Sequence, residues 1–440
     1  MTPPSSHVTS APNGRAALFP ILTVNFVGTL GFSIVLPSLV FLVTRFGGNA
    51  LVYGLVGAAY SIFQLIGAPV LGRWSDRYGR RRMLLLSAAG TCISWAIFLA
   101  AIGIPSRPLA SIDSPLLGTF TLTLPLAMLF VARALAGLTG GDVSIANAYL
   151  ADVSTERDRS ENFGKMAVAS NLGFVAGPAL AGLLAAIGSS DLLPVVAALV
   201  VSAFAVWVIA FRLPEATPCV LAADPERVNV RKLLGQEPKD CFTMRAGLKP
   251  SLPELLALPS MTLVLSIYFL VFLAFNFFYV AFPLYAATGI HWSLPETGVY
   301  FAAMSLLMAL VQGPGLKWLS KTWSGRSLVI VGGVLLAASF AFFVSRSTPV
   351  IYLGTALLAA GNGLMWPSLL AILSGLAPRD AQGAVQGFAS SLGAGASIAG
   401  LLIGGFLYHN VGSGVFLISA VLVALTCGLS ALIPPAVKNR

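Results

Sequence analysis

Acidic side chains are scarce in this 440-residue chain: 16 Asp and Glu stand against 26 Lys and Arg, and charged residues make up only 10% of the total. Histidine is nearly missing, with His7, His291 and His409 alone, and cysteine is limited to Cys92, Cys219, Cys241 and Cys427. The histidines lie nowhere near the thiols at ligand spacing, which excludes a zinc site and leaves no metal ligands to name. Cys92 and Cys427 fall in apolar runs and Cys219 and Cys241 in a central polar segment read as facing a reducing compartment, so no disulfide framework is expected. No phosphate-cradling Gly-Lys loop and no constellation of His, Cys or Ser with an acid is present, so the chain does not read as an enzyme and no cofactor is implied.

What the chain has in place of charge is apolar length, with hydrophobic residues at 57%. Charge-free runs of roughly 20 residues, enough to cross a bilayer, recur at about 17–41, 51–72, 83–104, 125–151, 163–187, 192–211, 262–285, 298–319, 327–344, 350–375, 384–408 and 414–433. The expected fold is therefore an all-α integral membrane protein of twelve transmembrane helices, multi-pass in the cell membrane. Residues 116–124 are apolar but follow a Pro-rich segment, and they read either as the start of span 4 or as a hairpin outside it. The net charge of +10 does not point to nucleic acid, because the cations sit in short connections between apolar runs. Placed with both termini cytoplasmic, the chain leaves only Arg45, Arg107 and Arg346 in the outer loops and Arg133 inside span 4, the distribution that the positive-inside rule requires. The tail has no cleavable signal pattern, so span 1 is expected to stay as an anchor. The absence of any Asn-X-Ser/Thr site fits a bacterial inner membrane.

The spans divide into two halves. Domain boundaries are read as a tail at 1–16, a six-helix bundle at 17–211, a cytoplasmic linker at 212–261, a second six-helix bundle at 262–433 and a tail at 434–440. The linker is rich in Pro and mixed charge. Ala169-Ser-Asn-Leu-Gly173 recurs as Ala389-Ser-Ser-Leu-Gly393, and Arg157-Asp158 before span 5 recurs as Arg379-Asp380 before span 11. Two pseudo-repeated bundles with a solute path between them is the economical reading.

The densest polar feature is Gly72-Arg-Trp-Ser-Asp76-Arg77-Tyr-Gly79-Arg80-Arg-Arg82, five cations and one carboxylate between spans 2 and 3. Asp76 is expected to lie close before span 3, at the partly positive start of that helix, accepting charge-assisted bonds from Arg77, Arg80 or a partner helix. The matching stretch of the second half, Gly315 to Arg326, keeps Lys317, Lys321 and Arg326 without an acid. In span 5, Gly173, Gly177, Pro178 and Gly182 favour close helix contact and a bend. Arg133 and Asp142 are the strongly ionisable side chains inside spans, where charge usually lines a path or finds a partner. Nine residues of helix separate them by about 13 Å of rise and about 180° of rotation, so direct pairing is not expected, although Gly137, Gly140 and Gly141 allow a distortion. A mid-membrane carboxylate can couple transport to proton movement, because its hold on a proton follows the solvation and charge around it. A weakly polar, aromatic lining is drawn from Asn25, Tyr53, Tyr60, Gln64, Asn147, Asn171, Tyr268, Asn276, Tyr279, Gln312, Asn362, Trp366, Gln386, Ser390 and Ser397. Each of these could equally serve helix-to-helix hydrogen bonding.

The loop pattern Gly, three residues, Asp-Arg, one residue, Gly-Arg-Arg resembles that of the major facilitator superfamily. Gly173 to Gly182 is similar to the span 5 motif of its antiporters, and Arg133 with Gly137, Gly140 and Gly141, ending in Ala151-Asp152, to its span 4 motif. Together they resemble the tetracycline-efflux and related twelve-span drug/proton antiporters, including tetracycline-transporter-like organic-anion carriers. The resemblance implies alternating access, a small organic substrate, protons as coupling ion and the lipid bilayer as setting, in a protein acting as a monomer. Apart from the resemblance, the charge cluster at Gly72, Asp76, Arg77, Gly79 and Arg80 can latch the inner ends of the two bundles as a gate, the alternative being that these residues only set topology. One position departs from the resemblance: span 1 carries Gly28 where many of these antiporters carry an acid, which moves the coupling role to Asp142 or leaves transport uncoupled. The expected function is proton-coupled efflux of amphiphilic, drug-like compounds, with organic-anion or lipid-like solute transport as the alternative, and a transporter-like sensor or assembly partner as the alternative outside transport.

Overall fold

Long apolar stretches with few interruptions have one stable form in a bilayer, the helix that satisfies its own backbone, and the computed structural model is built almost wholly from such helices. It describes residues 14–114, 118–154, 158–188, 192–216, 256–376 and 382–434. The greater part of the linker with Cys219 and Cys241, the ends of both tails, Arg157, and the Arg379-Asp380 pair lie outside the described residues.

The first half runs α1 (Gly14–Ser33), α2 (Leu36–Arg45), α3 (Ala50–Tyr78) and α4 (Arg80–Gly103), then strands β1 (Pro108–Ser114) and β2 (Gly118–Thr123), then α5 (Leu124–Leu138), α6 (Asp142–Val153), α7 (Arg159–Gly188) and α8 (Leu192–Phe211). α1 and α2 form one interrupted span, with Pro37 in the first turn of α2. β1 and β2 form an antiparallel hairpin with Ile112 opposite Phe120, which decides the assignment of residues 118–123 in favour of the hairpin. The hairpin docks on the α2–α3 turn: Thr121 N–H donates to the Gly47 carbonyl at 3.0 Å and Thr123 Oγ1 to the Phe46 carbonyl at 2.7 Å. Thr123 also caps α5 by accepting from Leu126 N–H.

The second half runs α9 (Met261–Leu284), α10 (Leu294–Leu310), α11 (Leu316–Leu319), α12 (Gly325–Phe342), α13 (Thr348–Leu376), α14 (Gln382–Val411) and α15 (Gly414–Ser430). π turns over Tyr285–Gly289 and Val311–Gly315 extend α9 and α10; the second contains Gln312 and Pro314, so the stretch opposite the basic loop is a wound helix end. A capping box of Ser293 and Glu296 starts α10. Among the described residues, 11 segments are long and apolar enough to cross a membrane, and α15, at 17 residues, is a shorter apolar helix.

The halves meet toward the hairpin face. α3 lies against α14 where Gly54 faces Leu401 and Gly405, and α7 lies against α10 where Gly182 faces Gly298 backbone to backbone. An apolar cluster of first-half residues at that face also takes in Val280 and Leu284 of α9 and is packed by Leu401 and Tyr408 of α14. The opposite face, where α3 joins α4, has a separate cluster from Ala17, Leu71, Leu84, Tyr149 and Leu150, with no described residue of the second half in it. This structure is therefore sealed at the hairpin face.

α7 runs unbroken through Pro178, and its glycines divide between two jobs. A side chain at Gly173 would meet the Phe26 carbonyl, and one at Gly177 would overlap Ser33 Oγ, whereas Gly182 touches the other half. Ser33 Oγ in turn donates to the Gly173 carbonyl at 3.1 Å. Gly177→Leu should therefore destabilise the first bundle itself, by about 1–3 kcal/mol of overpacking, read as a lower melting temperature of the purified protein. Gly182→Leu should instead loosen the seal, so that a cysteine replacing Leu284 in an otherwise Cys-free chain reacts faster with a water-soluble maleimide.

Candidate functional site

Arg133 is carried into the protein interior on α5 and is only 5% exposed. Its guanidinium carbon lies 4.8 Å from the centre of the Tyr60 ring on α3 and 5.4 Å from that of Phe32 on α1. The two rings are 4.8 Å apart, and Phe174 of α7 lies 6.4 Å from Phe32. Ring faces attract a desolvated cation but accept no hydrogen bond along the ring plane, and the buried Nε has no hydrogen-bond partner. Arg133 is thus held against rings, with its Nε donor unspent.

Below it the span breaks. α5 ends at Leu138, and Thr139, Gly140 and Gly141 separate it from α6. The break is wedged by close neighbours: Ser87 Oγ of α4 donates to the Thr139 carbonyl, and Gln64 Nε2 of α3 donates to the Gly140 carbonyl at 3.0 Å. Gln64 Nε2 also lies 3.0 Å from the Tyr60 hydroxyl. Breaking a membrane helix exposes carbonyls that need such donors, and here the side chains of neighbouring helices supply them. Asp142 is the first residue of α6, where the partly positive end of the helix favours a carboxylate. A Cβ at Gly28 of α1 would meet one atom within 4 Å, Asp142 Oδ2 at 3.2 Å. The α1 position without an acid is thus occupied in space by a carboxylate from α6. The expected spacing of Arg133 and Asp142 along one continuous helix is corrected, because the break makes α5 and α6 separate helices; among the described residues no ion pair joins the two.

The remaining lining candidates separate into groups. Asn25 joins α1 to α7, with Nδ2 donating to the Met166 carbonyl at 3.0 Å and to Ser170 Oγ at 2.5 Å. Asn276 Nδ2 donates to the Phe272 carbonyl of its own helix. Tyr53 is buried in the core of the first half, while Asn362 is buried on α13 and Asn147 partly buried on α6. In the second half Trp366 packs 5.0 Å from Tyr268 and 5.3 Å from Phe272, and those two stack at 5.7 Å. Tyr279 packs on Phe275 at 4.9 Å, and Gln312 sits in the π turn of the next span. The side chains of Asn171, Gln386 and Ser390 lie outside the described residues. Phe32, Phe174 and Phe272 were missed from sequence; the signal was present, since Phe32 stands one turn from Gly28 and Phe272 one turn from Tyr268.

The basic loop differs from its expected form. α3 continues through Tyr78 and α4 starts at Arg80, so the loop is Gly79 alone, with φ of +103°, a conformation that glycine adopts without strain. Asp76 therefore lies in the last turn of α3, a helix C-terminus, and not before the start of span 3; its side chain is outside the described residues. Arg77 is exposed and rests on the Tyr78 ring at 5.5 Å; a side chain added at Gly72 would meet nothing, while its carbonyl accepts from Ser75 Oγ at 2.6 Å. Arg80 carries the ion pair: Nε donates to Asp152 Oδ2 at 2.8 Å, at the end of α6, and Nη1 to Ser75 Oγ at 2.6 Å. Glu215, missed in the sequence reading, accepts from Arg81 N–H at 3.0 Å, and Arg81 Nε donates to the Ile209 carbonyl at 3.1 Å. Tyr149 donates to the Pro214 carbonyl at 2.8 Å. The loop thus ties α3, α4, α6 and the exit of α8 into one block within the first half.

With that geometry in place, comparison with known proteins places it. The model of the Major Facilitator Superfamily matches residues 21–258 and 264–440. The tetracycline resistance protein, class D, of Salmonella ordonez is 27% identical over 419 residues, 94% of this chain and 95% of that protein. Major facilitator superfamily domain-containing protein 10 of Bos taurus is 28% identical over 396 residues, 87% of this chain and 79% of that one. Among solved structures, the human organic anion transporter MFSD10 (TETRAN) is similar in fold, with a TM-score of 0.64 at 23% identity over 95% of this chain and 100% of that chain.

Asp152 is the acceptor for Arg80 Nε, and both side chains are largely buried, so removing either partner strands the other. Arg80→Gln and Asp152→Asn should each cost about 3 kcal/mol, and the double variant should cost clearly less than the two together, read from chemical unfolding in detergent.

Proposed function

The chain belongs to the Major Facilitator Superfamily, a family of multi-pass membrane transporters and not of enzymes, and from that premise we propose that it exports amphiphilic organic compounds in exchange for protons. Two six-helix bundles, with α15 as the twelfth span, alternate access to a site between them. The Gly79 loop and both termini lie on the cytoplasmic side and the hairpin outside. A bacterial inner membrane suits this arrangement, and the transporter works as a monomer.

The observation that carries the reading is the pair of ionisable groups in the membrane-spanning part of the first bundle, Asp142 at the α6 start and Arg133 on its ring platform. A charge kept in a membrane interior without a structural ion pair is a functional feature by default. Asp142 takes the role of proton carrier. It lies at a helix break, where small changes in packing alter how well a carboxylate is solvated, and it lies against Gly28, where α1 leaves it room. Arg80 on Asp152 and the Arg81 N–H on Glu215 tie the cytoplasmic end of the first bundle into one body, as alternating access requires. The tetracycline resistance proteins among the relatives support export of drug-like compounds.

A second reading, carriage of an organic anion without proton coupling, is favoured by one observation: Arg133 Nε has no acceptor, so an anionic group of the substrate has a donor waiting. The solved relative described as an organic anion transporter agrees with it.

Thermal stabilisation by a panel of amphiphilic compounds at two pH values identifies ligands, and flux into proteoliposomes with and without a proton gradient separates the readings. Proton exchange predicts that Asp142→Asn lowers gradient-driven uptake about tenfold or more, within the usual range of linkage between sites, while exchange of labelled for unlabelled substrate persists. Gradient-driven uptake that survives Asp142→Asn withdraws the coupling role and leaves the organic-anion reading.

A further inference from the structure

We infer that Gln64 is the positioning residue through which occupancy at Arg133 is felt at Asp142. The inference rests on the reading of Asp142 as proton carrier and adds the physical link that reading lacks. The two charges belong to separate helices, α5 and α6, and no ion pair joins them among the described residues. One side chain reaches toward both. Gln64 Nε2 donates to the Gly140 carbonyl, two residues before Asp142, and lies 3.0 Å from the Tyr60 hydroxyl, on the ring that supports the Arg133 guanidinium.

The chemistry of the amide makes this a link and not two unrelated contacts. Its NH₂ has two donors, one spent on a carbonyl left open by the helix break and one on a hydroxyl that moves with the Tyr60 ring. An anionic group drawn to Arg133 changes the pull of the cation on that ring. A shift of Tyr60 then takes Gln64 with it, and the Gly140 carbonyl either keeps or loses its donor. Losing it leaves an unsatisfied carbonyl in the membrane interior, which the Thr139–Gly141 segment relieves by rewinding. Asp142, at the first residue after that segment, moves with it relative to Gly28. Other groups are poorly placed to do this. α1 brings Gly28 and Asn25, the latter engaged with α7; on α4, Cys92 is half-buried and Arg80 is held by Asp152. On α7, Lys165 lies in the early turns, and on α3 the ionisable neighbour of Asp142 is Tyr60 itself.

The test is a double-mutant cycle in the purified full-length protein, with dicyclohexylcarbodiimide as the probe, since it modifies carboxyl groups in their protonated form. Labelling of Asp142, read by peptide mass spectrometry as a function of pH, gives a midpoint for each variant. Arg133→Gln should displace that midpoint by about one pH unit in the parent and by less than about a third of that in Gln64→Met, the scale expected when contacting residues are coupled. Methionine keeps the length of glutamine without its donors, and Gln64→Leu serves as a second variant should Met fold poorly. Equal displacement in both backgrounds, or none in the parent, overturns the link while leaving Asp142 as carrier. An Asp142 that is never labelled at any pH removes the carrier assignment itself, and the link with it.

Discussion

A carbonyl or charge inside a bilayer has no water to fall back on, and that constraint organises this protein around the break at Thr139–Gly141. Most of the other described spans run as one unbroken helix. This one does not, so α3 and α4 must bring Gln64 and the Ser87 hydroxyl to it, and they must come near enough that a side chain at Gly67 would strike the Leu138 carbonyl. Close packing of α3, α4 and α5 is therefore a condition of having the break. The break in turn presents Asp142 at a helix start, in reach of α1, where a continuous helix would have carried it around to another face. Packing, hydrogen bonding and the position of the ionisable group follow from one interruption.

The same constraint explains what could be read from the residues alone. Apolar runs of bilayer length have one structural solution, so the spans were legible to within a few residues, and the glycines of α7 announced close contact because nothing else explains small residues at that spacing. Helix ends inside charged segments were not legible. Gly72 and Gly79 look equivalent in sequence, yet α3 passes through the first and stops at the second, because Ser75, Arg80 and Asp152 bond across the junction and hold the helix wound up to Tyr78. That choice is made by long-range partners, and it moved Asp76 from a supposed helix start to a helix end. The pairing of Arg80 with Asp152 and of Arg81 with Glu215 was hidden for the same reason: the acids stand 72 and 134 residues away. The candidate site was half visible. Its charges are rare enough in apolar runs to stand out, while Phe32, the phenylalanine against Arg133, is lost among the 27 of the chain.

The two halves are asymmetric at corresponding junctions. In the first, the Gly79 junction is locked by the Arg80–Asp152 ion pair, by the Arg81 N–H on Glu215 and by Tyr149 on the Pro214 carbonyl. In the second, the corresponding region is a π turn, a four-residue helix and exposed Trp318 and Trp323, with Arg326 donating to the Ala431 carbonyl. π turns inside helices are frequent at functional sites, and this one stands where the first half has an ion-paired junction.

At the hairpin face the halves touch through backbone, Gly182 on Gly298 and Gly54 on Gly405, contacts that part without stranding any polar group and so cost mainly lost packing. A gate closed by ion pairs would have to desolvate and resolvate charge in each cycle. A gate closed by glycine backbones and apolar side chains does not, so the seal at the hairpin face is built apart from the charged groups of the first bundle at Arg133, Asp142 and the Gly79 junction.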